Sequence, residues 1–382
     1  MYFCVLTLLF WFADYAFAAY LSTYAARMTS SVALVGVMLG SYGWAQILLR
    51  VPIGILSDKM NNRRLFIQIG CIVNCLSAFG LWLSPNIFWL IVCRALNGVA
   101  VSTWVTITVL FGSYYTPDES VRALSIINAC NFGGSLLASV GGVVVSGMWD
   151  IRATFLLAGV VGVVPMVMSF GLKEKNLDKT PLRFSELFAV GKTKWVMAVS
   201  CIGVLCQLMS YATALGFTPQ LVLRLGADES AVGYVLLVFM AGGVLSSFFA
   251  GRLFIRPFGA RNSLVALMAL QAVTTILQPL AQSQAVLWVL VFFSGVARGT
   301  SMSLMLGLVI KPFPYRKQAA AMGFFQSVYS VGIFLGPMIA GALVQGMGLD
   351  AAFYICGALG LIAPLLGKKL LQDERSMTLR YD

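Results

Sequence analysis

The 382-residue sequence contains no histidine, and only 10% of its residues are charged. Without histidine the chain lacks a common metal ligand and one common proton relay. All eight cysteines lie inside apolar stretches, where cysteine is typically a small buried residue and not a disulfide partner. The sequence also shows no nucleophile–base set and no phosphate-binding loop. We therefore expect no metal, no cofactor and no enzymatic activity.

The scarcity of charge also excludes a water-soluble globule. Soluble proteins usually have about 25% charged residues, whereas this chain is 59% hydrophobic with a mean hydropathy of +0.89. Most of its surface is therefore expected to face lipid. Its apolar runs are continuous over about 20 residues, which favours membrane helices over the alternating ten-residue segments of a barrel.

The small amount of charge that is present is mostly positive, with a net charge of +12. Nucleic-acid binding would need a basic stripe with interleaved aromatic residues outside the apolar runs, and the sequence has none. If the N-terminus is cytoplasmic, 20 of the 26 Lys and Arg residues fall on the cytoplasmic side and only Arg27, Arg152 and Arg224 on the other. This bias predicts a multi-pass protein with both termini in the cytoplasm.

Twelve apolar segments are each long enough to cross a bilayer. The first has no basic leader and contains Asp14, so we expect a retained span and not a cleaved signal peptide. The sequence thus predicts an all-α membrane protein with 12 transmembrane helices. They are predicted at 3–26, 32–53, 64–83, 87–114, 120–147, 152–172, 195–222, 230–254, 262–282, 286–311, 317–346 and 351–371.

The longest polar stretch, Lys173–Lys194, divides these segments into six and six. We predict an N-terminal six-helix bundle at 1–172, a cytoplasmic interdomain loop at 173–194, a C-terminal bundle at 195–371 and a cytoplasmic tail at 372–382. The sequence NGVA at 97–100 is matched by SGVA at 294–297, and further glycines recur at a spacing of 199 residues. Such a parallel duplication is typical of transporters, whose substrate site lies between the repeats.

A charged turn is predicted at Gly54–Arg64, where the sequence is GILSDKMNNRR. It resembles the loop motif G-x-L-x-D-[RK]-x-G-[RK]-[RK] of the major facilitator superfamily, with Asn61 in place of the second glycine. Asparagine also tolerates the left-handed backbone conformation that a tight turn needs. Arg94 and Gly98 match the family's R-x-x-x-G motif, and the glycine-rich antiporter pattern is present in part.

The resemblance covers essentially the whole chain and points to compact bacterial drug-efflux-like members. It implies two pseudo-symmetric six-helix bundles and alternating access. It also implies a conformational latch formed by Gly54, Asp58, Lys59 and Arg63. In this family the loop aspartate engages the start of span eleven, here near Arg316 to Gln318, and holds the cytoplasmic side shut.

Asp14 is the only acidic residue deep in a predicted span. A carboxylate in hydrocarbon is costly, so it should face a partner or a cavity. Arg94 lies at a similar depth in span four, and we expect the two residues to pair and to carry proton coupling. The alternative is a permanent salt bridge that only fixes two helices.

Arg298 lies near the middle of span ten, where the family motifs do not place an arginine. It is expected either to bind an anionic group or to balance Asp14; the alternative is a packing role. Arg50, near the cytoplasmic end of span two, is expected to act in gating or anchoring, within reach of Asp58 or lipid phosphate.

Several spans carry polar and aromatic residues on one helical face, and these faces are expected to line an amphipathic cavity. Some of these residues could instead join helices through hydrogen bonds. Together with Arg298, the cavity candidates are Trp11, Tyr15, Asn97, Trp104, Asn128, Asn131, Gln207, Tyr211, Gln326 and Tyr329.

The sequence therefore predicts a secondary active transporter of the cytoplasmic membrane that moves a small organic solute by alternating access. Proton-coupled efflux is favoured, with protons, solute and lipid as the partners of a monomer. One alternative is uptake or exchange of an organic anion bound by intramembrane arginines. Another is a lipid flippase or a transporter-like receptor.

Overall fold

The computed structural model describes residues 1–115, 120–174, 189–250, 256–313 and 315–370. Within these ranges the chain is helical and contains no β-strand. Ten helical spans are long and apolar enough to cross a membrane, and the shorter apolar helices Tyr2–Tyr15 and Ala153–Ser169 bring the described set to twelve. The predicted all-α membrane fold is confirmed.

The spans are numbered in chain order, and their bounds are close to those predicted. In the N-terminal half, spans one to six are Tyr2–Tyr15 with Leu21–Ala26, Val32–Lys59, Arg63–Leu83, Ile87–Ser102 with Trp104–Ser113, Ser120–Met148 and Ala153–Ser169. In the C-terminal half, spans seven to twelve are Lys194–Ala212 with Thr213–Phe217 and Thr218–Arg224, Gly233–Ala250, Arg256–Leu277, Gln284–Ile310, Tyr315–Met347 and Leu349–Gly360 with Ile362–Leu370. The predicted interdomain loop and tail lie mostly outside the described residues, so the domain boundaries stay predictions.

Large apolar side chains cover the outside of the helical bundle. Leu76 is 60% exposed, Leu83 61%, Phe88 69% and Leu365 68%. In water such a surface would drive aggregation, whereas in a bilayer it contacts acyl chains of similar polarity. The protein is therefore a multi-pass membrane protein.

The charged turn after span two is shorter than predicted. Span two continues to Lys59, six residues beyond the expected end, so only residues 60–62 separate it from span three. Asn61 has a φ of 47°, which confirms its predicted left-handed conformation. The carboxyl of Asp58 is therefore presented from the last turn of a helix and not from a loop.

Span seven is interrupted by a π-helix, Thr213–Phe217, directly before a short helix that begins with Thr218 and Pro219. Proline has no N–H, and its ring clashes with the carbonyl four residues earlier in a regular helix. A wider π turn accommodates both effects, and such turns are frequent at functional sites. The break lies one turn beyond Tyr211, a predicted cavity residue.

The two halves meet at the end of the bundle that carries Arg27, Asp150 and Glu229, here called the outer end because the charge bias predicts it to face outside. Arg27 forms ion pairs with Asp150 of its own half, at 2.9 Å, and with Glu229 of the other half. The side-chain oxygen of Gln345 in span eleven accepts a hydrogen bond from the backbone N–H of Ala33 at 2.9 Å. These contacts close the outer end.

Glycines bring spans two and eleven together below these contacts. A Cβ atom on Gly36 would lie 2.4 Å from the carbonyl oxygen of Pro337. One on Gly40 would lie 2.6 Å from the carbonyl oxygen of Phe334, and one on Gly43 would lie 2.4 Å from the Phe334 nitrogen. The two helix backbones therefore touch, which excludes solvent between the halves on this side.

Candidate functional site

A cavity lies between the two halves. Eight spans line it: one, two, four and five from the N-terminal half, and seven, eight, ten and eleven from the C-terminal half. Its wall combines aromatic rings, methionines, amides and guanidinium groups, a composition typical of small-molecule sites. The lining residues are Trp11, Tyr15, Tyr42, Gln46, Arg50, Val101, Trp104, Thr108, Asn128, Asn131, Phe132, Ser135, Gln207, Tyr211, Met240, Arg298, Gly299, Met302, Leu306, Met322, Gln326, Tyr329 and Ile333.

The structure brings ten of the eleven predicted cavity residues together on this wall; the exception is Asn97. That side chain is fully buried behind the wall, between spans one, three and four. Its helical spacing from Trp104 suggested the cavity face, but at this depth span four turns that face toward its neighbours in the bundle. Whether the other ten bind a solute stays a prediction.

Asp14 and Arg94 are joined through Asn97 and form no direct ion pair, which corrects the expected Asp14–Arg94 contact. The Asn97 amide nitrogen donates to Asp14 Oδ1 at 2.8 Å, and its carbonyl oxygen accepts from Arg94 Nη1. All three side chains are buried, with 2%, 0% and 6% exposure for Asp14, Asn97 and Arg94. The amide therefore links a buried acid to a buried base.

The polar chain continues on both sides of Asp14. The Tyr42 hydroxyl donates to Asp14 Oδ2 at 3.1 Å, while Asn97 also donates to the side-chain oxygen of Asn74 at 3.0 Å. The guanidinium of Arg94 lies over the Tyr42 ring, 4.0 Å from its centroid. Since Tyr42 lines the cavity and Asp14 does not, Tyr42 separates the carboxyl from the cavity.

Gly98 determines how closely these residues can approach. A Cβ atom at this position would lie 2.3 Å from the carbonyl oxygen of Tyr42, so spans two and four touch backbone to backbone. This contact places Tyr42 between Arg94 and the cavity. In the R-x-x-x-G motif, the arginine is thus the positive group of the buried polar chain. The glycine allows spans two and four to approach closely, which positions Tyr42.

Tyr42 also contacts the other half of the molecule. Its ring stacks on Tyr211 of span seven, with centroids 6.2 Å apart and planes inclined by 24°. Any movement that separates spans two and seven must break this stack. The group that hydrogen-bonds to the buried acid is therefore also a contact between the halves.

Arg50 lies in the cavity wall and not at the lipid surface, which corrects its expected role as an anchor near Asp58. It is 3% exposed and donates to Gln46 Oε1 at 2.5 Å, to Gln326 Oε1 at 3.1 Å and to the Tyr329 hydroxyl at 2.9 Å. Because Gln326 and Tyr329 belong to span eleven, Arg50 joins the two halves below the glycine contact. Gating remains compatible with this position.

The sequence contained a signal for this missed face of span two. Tyr42, Gln46 and Arg50 follow one another at four-residue intervals, the spacing of residues on one side of an α-helix. All three line the cavity. Helical spacing shows that these residues share one side of span two, but only the packing of the helices shows that this side faces the cavity.

Arg298 is half-buried in the cavity wall and is held by two weak contacts. Its Nε lies 3.4 Å from Gln207 Oε1, and its guanidinium lies 5.7 Å from the centroid of the Phe239 ring. No acidic residue in the described ranges forms an ion pair with it. It does not balance Asp14 by direct contact.

The aromatic part of the wall comes mainly from spans one and four. The Trp11 ring packs edge-on against Trp104 with centroids 5.2 Å apart, and Tyr15 lies 5.9 Å from Trp11. Trp11 is 5% exposed, and its indole nitrogen has no hydrogen-bond partner among the described residues. These rings form a rigid apolar surface next to the amides of span five.

The predicted latch residues lie at the opposite end from Arg27. Asp58 accepts a hydrogen bond from Arg63 at 2.5 Å, within its own half. Lys59 is exposed, and Gly54 faces the side chain of Val105 in span four. The expected partner region includes the Arg316 side chain, which lies outside the described residues, so the latch contact stays a prediction.

Comparisons with known proteins agree with this architecture. A sequence model described as the Major Facilitator Superfamily matches residues 3–206 and 196–379. The multi-drug resistance efflux pump PmrA of Streptococcus pneumoniae serotype 4 is 25% identical over 315 residues, which is 79% of this chain and 77% of that protein. A probable sugar efflux transporter of Mannheimia succiniciproducens is 24% identical over 354 residues, covering 90% of this chain and 86% of that protein.

Solved structures show the same fold at lower sequence identity. A bacterial homologue of the human lysosomal transporter Spinster, in an inward-facing and unoccupied conformation, has a TM-score of 0.77 at 15% identity and covers 97% of both chains. The nucleoside transporter NupG has a TM-score of 0.74 at 14% identity, covering 97% of this chain and 100% of that one. At these identities the likeness concerns the fold alone.

Proposed function

We propose that this chain, which belongs to the Major Facilitator Superfamily and is a secondary transporter, exports a small organic solute in exchange for protons. The cavity between the halves is the solute site, and Asp14 is the proton carrier. The transporting unit is the monomer in the cytoplasmic membrane. The proposal assigns the chain no catalytic role.

The observation that carries the proposal is the hydrogen-bonded chain from Arg94 through Asn97 to Asp14 and Tyr42. An ionised Asp14 is stabilised by two hydrogen bonds and by the nearby guanidinium. A protonated Asp14 can keep the same neighbours, since amide and hydroxyl groups both donate and accept. The site can therefore hold either protonation state without rebuilding the bundle.

The stack of Tyr42 on Tyr211 supplies the link between protonation and movement. When the outer end opens, spans two and seven separate and Tyr42 loses its stacking partner. Asp14 then gains access to the predicted outside, where it takes up a proton while the solute leaves. When the outer end closes again, the proton is released toward the cytoplasm and a new solute enters. The closed outer end of this structure corresponds to that second stage.

Efflux is favoured over uptake by two considerations. The cavity presents an aromatic wall formed by Trp11, Tyr15 and Trp104, which suits amphipathic compounds that enter from the membrane or cytoplasm. Both named relatives are described as efflux proteins.

The latch belongs to the other stage of the proposed cycle. Asp58 is held by Arg63 here, at the end of the bundle opposite Arg27. In the outward-open state it is proposed to leave Arg63 and to engage the start of span eleven, where a helix N-terminus favours negative charge. The exchange of partners would close the cytoplasmic side as the outer end opens.

The test is transport in proteoliposomes with an imposed pH gradient, using ethidium and 2-naphthoate as solutes of opposite charge. Replacing Asp14 with asparagine is expected to abolish accumulation driven by the gradient while solute exchange without a gradient continues. The control is Asp350→Asn, which removes an exposed carboxylate that pairs with Arg224 at 2.5 Å. Gradient-driven transport by the Asp14 variant would overturn the assignment, and accumulation in the opposite direction would show uptake.

A further inference from the structure

We infer that the solute is an amphipathic organic monoanion whose charged group is bound by Arg298. The inference rests on the proposed role of the cavity as the solute site, but not on the proton-carrying role of Asp14. The inference follows from which charged side chains line the cavity and from which N–H groups of the arginines are already bound to protein atoms.

Three of the described arginines lie in or next to the cavity, and two of them are not placed to bind a solute. Arg94 is buried behind Tyr42 and is linked to Asp14 through Asn97. Both terminal nitrogens of Arg50 donate to side chains of spans two and eleven. Arg94 is therefore not part of the cavity wall, and the terminal nitrogens of Arg50 are already bound to protein side chains.

Arg298 differs from both. Only its Nε has a hydrogen-bond partner in the described part of the chain, the oxygen of Gln207, and that contact is long at 3.4 Å. Its two terminal nitrogens form no hydrogen bond within the described ranges and are not among the buried unpaired polar atoms there, and because Arg298 lines the cavity, they are open to it. Gln207 and Phe239 orient the guanidinium without neutralising it.

A guanidinium with open terminal nitrogens is suited to one class of ligand. Its two parallel donors match the geometry of a carboxylate, sulfonate or phosphate. In a cavity partly shielded from water, an anion also removes the cost of an unpaired charge. With one such guanidinium on the wall, the complementary ligand carries one negative charge.

The remaining wall excludes the opposite charge and selects for an apolar body. None of the described lining residues is acidic, and the buried carboxyl of Asp14 is covered by Tyr42 and Asn97. A cation would therefore meet Arg298 without a compensating carboxylate. Trp11, Trp104 and Met302 offer surface for a ring or an alkyl chain.

Binding of three matched compounds tests the inference. Wild-type protein in lipid nanodiscs is dialysed against 2-naphthoate, 2-naphthamide and 2-naphthylmethylammonium, which share a ring system and differ in charge. Protein-free nanodiscs correct for partitioning into lipid. We expect the anion to bind at least about tenfold more tightly than the neutral amide, since a hydrogen bond to a charged group contributes about 1.5–3 kcal/mol. The cation is expected to bind most weakly.

Variants of Arg298 test whether its guanidinium causes the preference for the anion. Arg298→Gln is expected to lower naphthoate affinity by about 10- to 100-fold while leaving naphthamide affinity unchanged, which shows that the cavity is still folded. Arg298→Lys should retain part of the preference for the anion. The control Arg224→Gln removes an exposed guanidinium at the outer end and should change neither affinity.

Three results would overturn the inference: equal naphthoate binding by wild type and Arg298→Gln, tighter binding of the cation than of the anion, or no binding of any of the three compounds. The Asp14→Asn variant separates this inference from the proposed coupling. If that variant keeps gradient-driven transport while the anion preference holds, only the proton-carrying role fails. If the preference is lost while coupling holds, only the solute class fails.

Discussion

At the scale of single residues, Asn97 is the group on which the buried polar chain depends. Its amide donates to Asp14 and to Asn74, and it accepts from Arg94. No other residue in the described ranges forms hydrogen bonds with both the acid and the guanidinium. An aspartate in direct contact with an arginine would form a permanent ion pair, whereas an intervening amide leaves room for a change of protonation.

Replacing Asn97 with alanine is expected to lower the stability of the protein. The substitution leaves hydrogen-bonding groups of Asp14, Asn74 and Arg94 unpaired in a buried place, which costs about 1–3 kcal/mol for each such group. The measurement is the thermal unfolding temperature of purified protein in detergent.

Asn131→Ala is the matched control, because that amide lies on the cavity wall where water can replace it. The control should lose no more than about 0.5 kcal/mol. If both variants unfold at the wild-type temperature, the polar chain does not contribute to stability.

The sequence was informative about residue types and depth, and less so about contacts. Asp14 stood out as the one deep acid, and the periodic faces located most of the cavity wall. Asn97 and Arg50 were misplaced because spacing along a helix does not reveal which neighbour its side chains meet. Both positions depend on how closely span two packs, and that distance is determined by glycines such as Gly98.

At the scale of helices, the contact between spans two and eleven determines how the outer end closes. Gly36, Gly40 and Gly43 lie against the backbone of span eleven along two turns. The twelve spans could be predicted from hydrophobicity, because length and polarity alone decide whether a segment crosses a membrane. The interruptions of spans one, four and seven could not, because they depend on contacts between distant segments.

Gly40→Ala is expected to weaken the closed outer end. The added methyl would lie 2.6 Å from a backbone oxygen of span eleven, and relieving such overpacking costs about 1–3 kcal/mol. The population with an open outer end should increase accordingly. Spin labels at positions 149 and 347, introduced after removal of the native cysteines, report the distance across this end.

Gly346→Ala provides the control, because an added Cβ there would meet no atom within 4 Å. Its distance distribution should match that of the parent protein. An unchanged distribution for Gly40→Ala as well would mean that the glycine contact does not hold the two helices together.

At the scale of the whole molecule, the closed outer end and the proposed proton site at Asp14 lie in different parts of the bundle. Burial tends to raise the pKa of Asp150, but hydrogen bonds from the backbone N–H of Arg152 and from Arg27 lower it below its usual 3.8. The contribution of a carboxylate with a lowered pKa is present above the usual value and is lost as the pH falls through the lowered one. The Arg27–Asp150 ion pair should therefore not change between pH 5 and 8.

Arg27→Gln tests this separation. Of its two partly exposed ion pairs, only the one with Glu229 joins the two halves, and such a pair contributes about 0–1 kcal/mol, so the open-to-closed ratio should rise by at most about fivefold. The same spin-label pair should show this shift equally at pH 5.5 and pH 7.5. If the shift appears at only one of these pH values, the Arg27 contacts themselves depend on pH, which contradicts the proposal that Asp14 is the pH-sensitive group.

The central claim is that one proton carried by Asp14 moves against the solute, and simultaneous recording of both fluxes tests it most directly. Proteoliposomes containing the pH dye pyranine are loaded with 2-naphthoate and diluted into naphthoate-free buffer at the same pH. We predict that naphthoate efflux acidifies the lumen in the wild-type protein. In Asp14→Asn, naphthoate should exchange with external naphthoate at a measurable rate while the pyranine signal stays flat. Luminal acidification by Asp14→Asn at the wild-type ratio of proton to solute would contradict the account.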